Sequence, residues 1–201
     1  MQSDEIVKLN LRHGWLGWWP ERGLKTILDP ENARITQFLV EQRTRLPQDS
    51  LLLDAGAGKC PYQYIFEDFN YQSTDMPGGF YDEPHDFECE LHDIPKDNNT
   101  YDVVVLTQVL EHVPDPESTL TEICRVLKSN GKLLLSVPLN GPLHGEPWHY
   151  FQFTHYGLDQ LAKKAGFKIV EMEKVGGAFW LIGKRLPVAF GKLLKQYDPF
   201  R

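Results

Sequence analysis

The chain has 201 residues, 41% of them hydrophobic and 24% charged, with a formal net charge of −7. That balance fits one globular domain and excludes a disordered chain, and the acidic surplus argues against nucleic acid as the main partner. Cys60, Cys89 and Cys124 form no C-x-x-C pair, no stretch approaches the ~20 apolar residues of a membrane span, and Met-Gln-Ser-Asp-Glu is no secretory leader, so a cytoplasmic protein is expected.

Residues 1–28 form a Trp-rich N-terminal arm or lid, with Trp15, Trp18 and Trp19 in one Gly-containing segment. Its two readings are an acceptor pocket containing Trp18 and Trp19, or a staple fixing the arm to the core. Asp29 reads as an N-cap with Pro30 at the first helical position, and that helix ends before Pro47. Leu51 to Ala55 reads as a buried strand closing on a tight Gly56-Ala57-Gly58 turn. A helix from Pro61 to Phe69, a strand Tyr71–Thr74 ending at Asp75, a loop from Met76 to Glu83 and a weak strand Asp86–Glu90 follow. Asp102 to Thr107 is the clearest buried strand. Asp115 caps a helix starting at Pro116, whose stripe Leu120, Ile123, Cys124 and Leu127 runs until Asn130-Gly131 stops it. Lys132–Val137 is a strand, Pro138–Phe153 a long loop, Thr154–Ala165 a helix closed by Gly166, and Phe167–Lys174 a strand.

This alternation predicts an α/β fold with a mostly parallel, doubly wound sheet of six or seven strands and helices on both faces. The core is 29–175; 176–201 is a C-terminal strand or amphipathic helix of the same domain. The apolar, basic tail Val188–Lys195 is compatible with weak peripheral contact with a membrane surface or a partner. Ligands of such sheets lie beyond the carboxyl ends of the strands, so the residues following each strand carry the functional argument.

Gly56 and Gly58 permit close approach of a ligand. The dinucleotide fingerprint needs another glycine three residues on, and that position is Pro61. Asp54 ends the first strand of the core and Asp75 the second, where carboxylates suit an ammonium and a ribose diol but not a diphosphate. Four longer segments then join the turn: Cys89-Glu90-Leu91-His92-Asp93-Ile94-Pro95, Tyr101-Asp102-Val103-Val104 with Gln108-Val109-Leu110-Glu111-His112-Val113, Arg125-Val126-Leu127-Lys128, and Tyr150-Phe151-Gln152-Phe153-Thr154. Together with Leu51–Gly58 and Tyr71–Asp75 they resemble, in order, the motifs of the class I S-adenosylmethionine-dependent methyltransferases, in particular the type-11 group that includes quinone-biosynthesis methyltransferases. Cys60 departs from that pattern, standing where the family's last glycine is found.

The resemblance implies a Rossmann-like fold and S-adenosylmethionine as cofactor, held by Asp54, Gly56, Ala57, Gly58, Asp75, Met76, Glu90, Leu91 and Gln108. The expected activity is methyl transfer to a small-molecule acceptor, with oxygen favoured over nitrogen or carbon because the loop after the fifth core strand carries His144 and His149. These two and His112 are the candidate general bases, and Trp148 and Tyr150 the acceptor wall. A metal set of His144, Glu146 and His149 is disfavoured, because Gly145 and Pro147 deny it the helical spacing of metalloproteases, and no metal is expected. The alternative function is an S-adenosylmethionine-binding regulatory or assembly module without methyl transfer.

Overall fold

The computed structural model describes residues 5–10, 30–141 and 143–175. Among the described residues seven strands form one sheet: β1 (Glu5–Asn10), β2 (Leu51–Ala55), β3 (Asn70–Asp75), β4 (Phe87–Glu88), β5 (Tyr101–Thr107), β6 (Leu127–Ser136) and β7 (Phe167–Glu173). Helices α1 (Pro30–Arg43), α2 (Pro116–Val126) and α3 (His155–Lys164) cover its faces. The spatial order is β4-β3-β2-β5-β6-β1-β7, and every pairing is parallel. From β2 the chain winds outward through β3 to β4, and from β5 it winds the other way. The switch in strand order therefore falls between β2 and β5, where such sheets place their ligands.

Successive strand residues point to opposite faces, and the core follows that period. Leu53, Val104, Leu106, Leu133 and Leu135 pack beneath α2 and α3, with Leu120, Ile123 and Leu158. Leu52, Val103, Val105 and Leu134 pack on the other face with Ile35, Phe38 and Leu39 of α1. Burial on both faces is what makes β2 and β5 read as continuous apolar runs.

Three local differences from the sequence expectation have physical causes. The helix expected over Pro61–Phe69 is a short 3-10 turn, Gln63–Phe66. Its aromatic residues are weak helix formers, and Tyr62, Phe66 and Phe69 are instead buried against α1 and the sheet. Helix α2 ends at Val126, four residues before Asn130, because Leu127 turns extended (φ −73°, ψ 139°) while staying buried. Asn130, at φ +67°, lies in the irregularity where Tyr101 pairs with Leu127 but Val103 with Lys132. Finally, Glu5–Asn10, assigned by sequence to an arm or lid, is a sheet strand inserted between β6 and β7. The tryptophans of that arm, Trp18 and Trp19 included, and the C-terminal segment 176–201 lie outside the described residues. Among the described residues no helix is long and apolar enough to cross a membrane.

Candidate active site

The turn after β2 is built by backbone geometry that glycine permits. Gly56 (φ +71°) and Gly58 (φ +53°) lie in the left-handed region. A Cβ on Gly56 would sit 2.6 Å from Val109 Cγ1, and one on Gly58 would sit 3.0 Å from the Tyr81 ring. The Gly56 and Ala57 amides donate to the Thr74 carbonyl at 2.9 and 3.0 Å, which ties the turn to the end of β3. Cys60, at the position of the missing glycine, itself adopts φ +50°. The residue type departs from the motif, but the backbone conformation is the one glycine would supply.

Asp75 closes the far side of this cradle. One carboxylate oxygen accepts from the Gly58 amide at 2.8 Å and the other from the Met76 amide at 2.7 Å. A carboxylate oxygen has two lone pairs, so each retains acceptor capacity for a diol. Asp54 lies deeper. It is 3% exposed, accepts a 2.6 Å hydrogen bond from the Tyr71 hydroxyl, and burial pushes its pKa up to about 6. The same burial, with Asp54 beside it, pushes the Tyr71 phenol above its ordinary value. On the neighbouring loop Leu91 is buried and Glu90 exposed, the Glu90 carbonyl accepting from the Asp93 amide. Gln108 follows β5 at φ +55°, its amide and side chain bound to Ser136. A tight turn with Gly56 and Gly58 in the left-handed region, facing a fixed carboxylate at the end of β3, suits an adenosyl ligand.

The candidate bases come together. His112, on a 3-10 turn (Leu110–His112), donates from Nδ1 to the Trp148 carbonyl at 3.0 Å. Its Nε2 lies 3.2 Å from His144 Nε2. The His149 ring centroid is 5.4 Å from that of His112 and 4.5 Å from that of His144, and His149 Nδ1 accepts from the His144 amide at 3.2 Å. Burial lowers the His112 pKa. The long loop is anchored on this turn, because the Tyr150 and Phe151 amides both donate to the Glu111 carbonyl.

Trp148 is half-buried and packs edge-on against Phe80 at 4.8 Å, whereas Tyr150 is 47% exposed. Glu146 is exposed and does not join the imidazoles. Three residues of the site carry no role in the sequence reading. Glu111, fully buried beside His112, hides in an apolar stretch after β5. Phe80 and Tyr81 sit in a loop, and their signal is a pair of aromatics beside Gly78-Gly79. A path of contacts runs from Gly58 to Tyr81, Phe80, Trp148 and His112, so the cradle and the imidazoles occupy one end of the sheet.

A methyltransferase-domain family model matches residues 24–172. No curated protein matches the chain in a sequence search. Among solved structures, the cyclase SpnF is 23% identical with TM-score 0.58, over 81% of this chain and 65% of that one. The CurJ carbon methyltransferase is 17% identical with TM-score 0.55, over 73% and 52%. A SAM-dependent methyltransferase from Methanosarcina mazei is 17% identical with TM-score 0.51, over 62% and 82%. At these identities the structures speak for the fold alone. The family match spans most of the chain and decides the class: the protein belongs to the methyltransferase-domain family. It is a class I methyltransferase with S-adenosylmethionine as its cofactor. This match is broader than the type-11 group that the sequence motifs resemble.

Proposed function

We propose that the enzyme methylates an oxygen atom of a small-molecule acceptor, with the imidazole cluster receiving the acceptor's proton. S-adenosylmethionine, when bound, supplies the electrophilic methyl group and its own leaving group. The protein is then left to align the acceptor, exclude water and take up one proton. In this reading Gly56, Ala57, Gly58, Asp75, Met76, Glu90, Leu91 and Gln108 hold the cofactor. Asp54 backs the turn, and Trp148 with Phe80 forms the acceptor wall. Trp18 and Trp19 are further aromatic candidates for that wall.

The observation that carries the oxygen preference is the orientation of the His112 ring. With Nδ1–H given to the Trp148 carbonyl, the neutral ring keeps its lone pair on Nε2, the form a general base needs. His149 has the reverse arrangement: Nδ1 accepts from the His144 amide, so the neutral ring carries its proton on Nε2. Of the three candidate bases, these ring orientations favour His112 over His149. Cys60, Cys89 and Cys124 form no disulfide among the described residues, which is compatible with a reducing setting.

The test is transfer of label from methyl-labelled S-adenosylmethionine to a panel of phenols, sugars, carboxylic acids and amines. The expected product carries the label on oxygen. His112→Asn should lower turnover by roughly 10²–10⁴-fold with cofactor affinity unchanged. Label on nitrogen or carbon overturns the reading. So does tight cofactor binding with no transfer to any acceptor, which would instead support a binding module.

A further inference from the structure

Glu111, His112 and His144 each present one ligand atom, and these three atoms lie within 4.8 Å of one another. The metal set weighed from the sequence, His144 with Glu146 and His149, is disfavoured there, and the buried glutamate is no part of it. We propose that Glu111, His112 and His144 form a site for a single divalent transition-metal ion of the zinc class, at the acceptor end of the cofactor cleft.

The geometry is that of ligands near a common centre. His112 Nε2 and His144 Nε2 are 3.2 Å apart, and Glu111 Oε1 is 3.8 Å from His112 Nε2. Two imidazole nitrogens bound tetrahedrally at 2.0–2.1 Å stand about 3.3 Å apart, so the histidine pair is already at the spacing one ion requires. The outer contacts fit as well. Metal-binding imidazoles usually give their second N–H to a carbonyl or carboxylate, which fixes tautomer and ring angle, and His112 gives its own to Trp148. The His144 amide is held by the His149 ring, and both neighbouring amides, Tyr150 and Phe151, hold the Glu111 carbonyl. The three ligands therefore come from a 3-10 turn and a loop locked to each other. Two imidazoles and one carboxylate select zinc, cobalt, manganese or iron over magnesium and calcium, which prefer all-oxygen sites. Three protein ligands also leave a coordination position open, as catalytic sites do.

What the ion does rests on the oxygen-acceptor reading; that it binds does not. An acceptor hydroxyl in the open position would have its pKa lowered by coordination and lose its proton to solvent. The metal-held oxygen would then attack the methyl carbon as its bond to sulfur breaks, the electron pair returning to sulfur and the neutral thioether leaving. In the loaded enzyme His112 is a ligand with its lone pair on the ion, so coordination takes the place of the imidazole base, and of the proposed function only the oxygen acceptor is retained.

The experiment uses the full chain, stripped with a chelator and titrated with Zn²⁺ and with Co²⁺. The expected result is one site per chain by calorimetry, and Co²⁺ visible bands of the intensity of four-coordinate cobalt. His144→Ala, at an exposed position, and Glu111→Gln should each weaken Co²⁺ binding by more than about tenfold. Both should keep their thermal shift with S-adenosylmethionine, which reports a folded cofactor site. Absence of a stoichiometric site, or a site unaffected by His144→Ala, overturns the proposal. Oxygen methylation that survives chelation also overturns the ion's role and leaves the proposed function standing. Metal binding without methyl transfer does the reverse.

Discussion

Gly56 and Asp75 bear the strictest local demands in the cradle, and each can be tested singly. Gly56→Ala would place a methyl carbon 2.6 Å from Val109 at a φ of +71°, so it meets both a clash and an unfavourable backbone. It should cost about 1–3 kcal/mol of stability by chemical denaturation and abolish cofactor binding before the fold is lost. Asp75→Ala removes acceptors to the Gly58 and Met76 amides and any contact to a ribose diol. Its cofactor affinity by calorimetry should fall tenfold or more, and unchanged affinity refutes the assignment. Asp54 predicts a pH signature. Burial raises its pKa to about 6, so the native state binds a proton more tightly than the unfolded chain does. Stability from this group therefore declines as pH rises from about 4 to about 6 and is level above, a difference of about 3 kcal/mol. Asp54→Asn should flatten that slope in urea unfolding followed across the same window; an unchanged slope refutes the burial argument. At this scale the sequence was legible where chemistry is local, as in the glycines and the strand-end carboxylates. It left the three histidines without an order, because ring orientation depends on a carbonyl 36 residues away in the chain.

The elements best foreseen are those that carry their own punctuation. Asp115 caps α2 by accepting from the Ser118 amide at 3.0 Å, and Thr154 caps α3 by accepting from the Gly157 amide at 3.1 Å. Asp115→Ala should cost about 1 kcal/mol and lower the melting temperature by roughly 2–4 °C. An unchanged melting temperature would mean that Pro116 alone starts the helix. Some motif residues prove architectural. Asp102 accepts from the Leu51 amide and from Lys128, pinning β5 to β2. Arg125 holds Glu122 and the Ile94 and Lys96 carbonyls, fixing the 94–98 loop on α2. The expected helix at 61–69 failed for the opposite reason, since its apolar spacing reports burial rather than helical backbone.

On the scale of the molecule, the doubly wound sheet followed from the order of strands and helices. The seventh strand did not. Glu-Ile-Val-Lys-Leu-Asn has no bounding glycine or proline, and its identity as β1 is set by the slot it fills between β6 and β7. Among the described residues β7 pairs with β1 and with no other strand. Deleting residues 1–10 should therefore strip hydrogen-exchange protection from Phe167–Glu173 while leaving Leu51–Ala55 and Tyr101–Thr107 protected. Uniform protection in the truncated chain would show that β7 is held by α3 alone.

That inserted strand also orders events in time. Val7 pairs with Leu133 on one side and Ile169 on the other, so the first described strand to leave the ribosome waits for the last two to be made. Contacts this distant in sequence close slowly. The cofactor turn, built from β2, β3 and β5, can be complete while the far edge of the sheet is still open. Refolding should then show cofactor-binding competence ahead of protection of β7, with an unpaired strand segment exposed to chaperones in between.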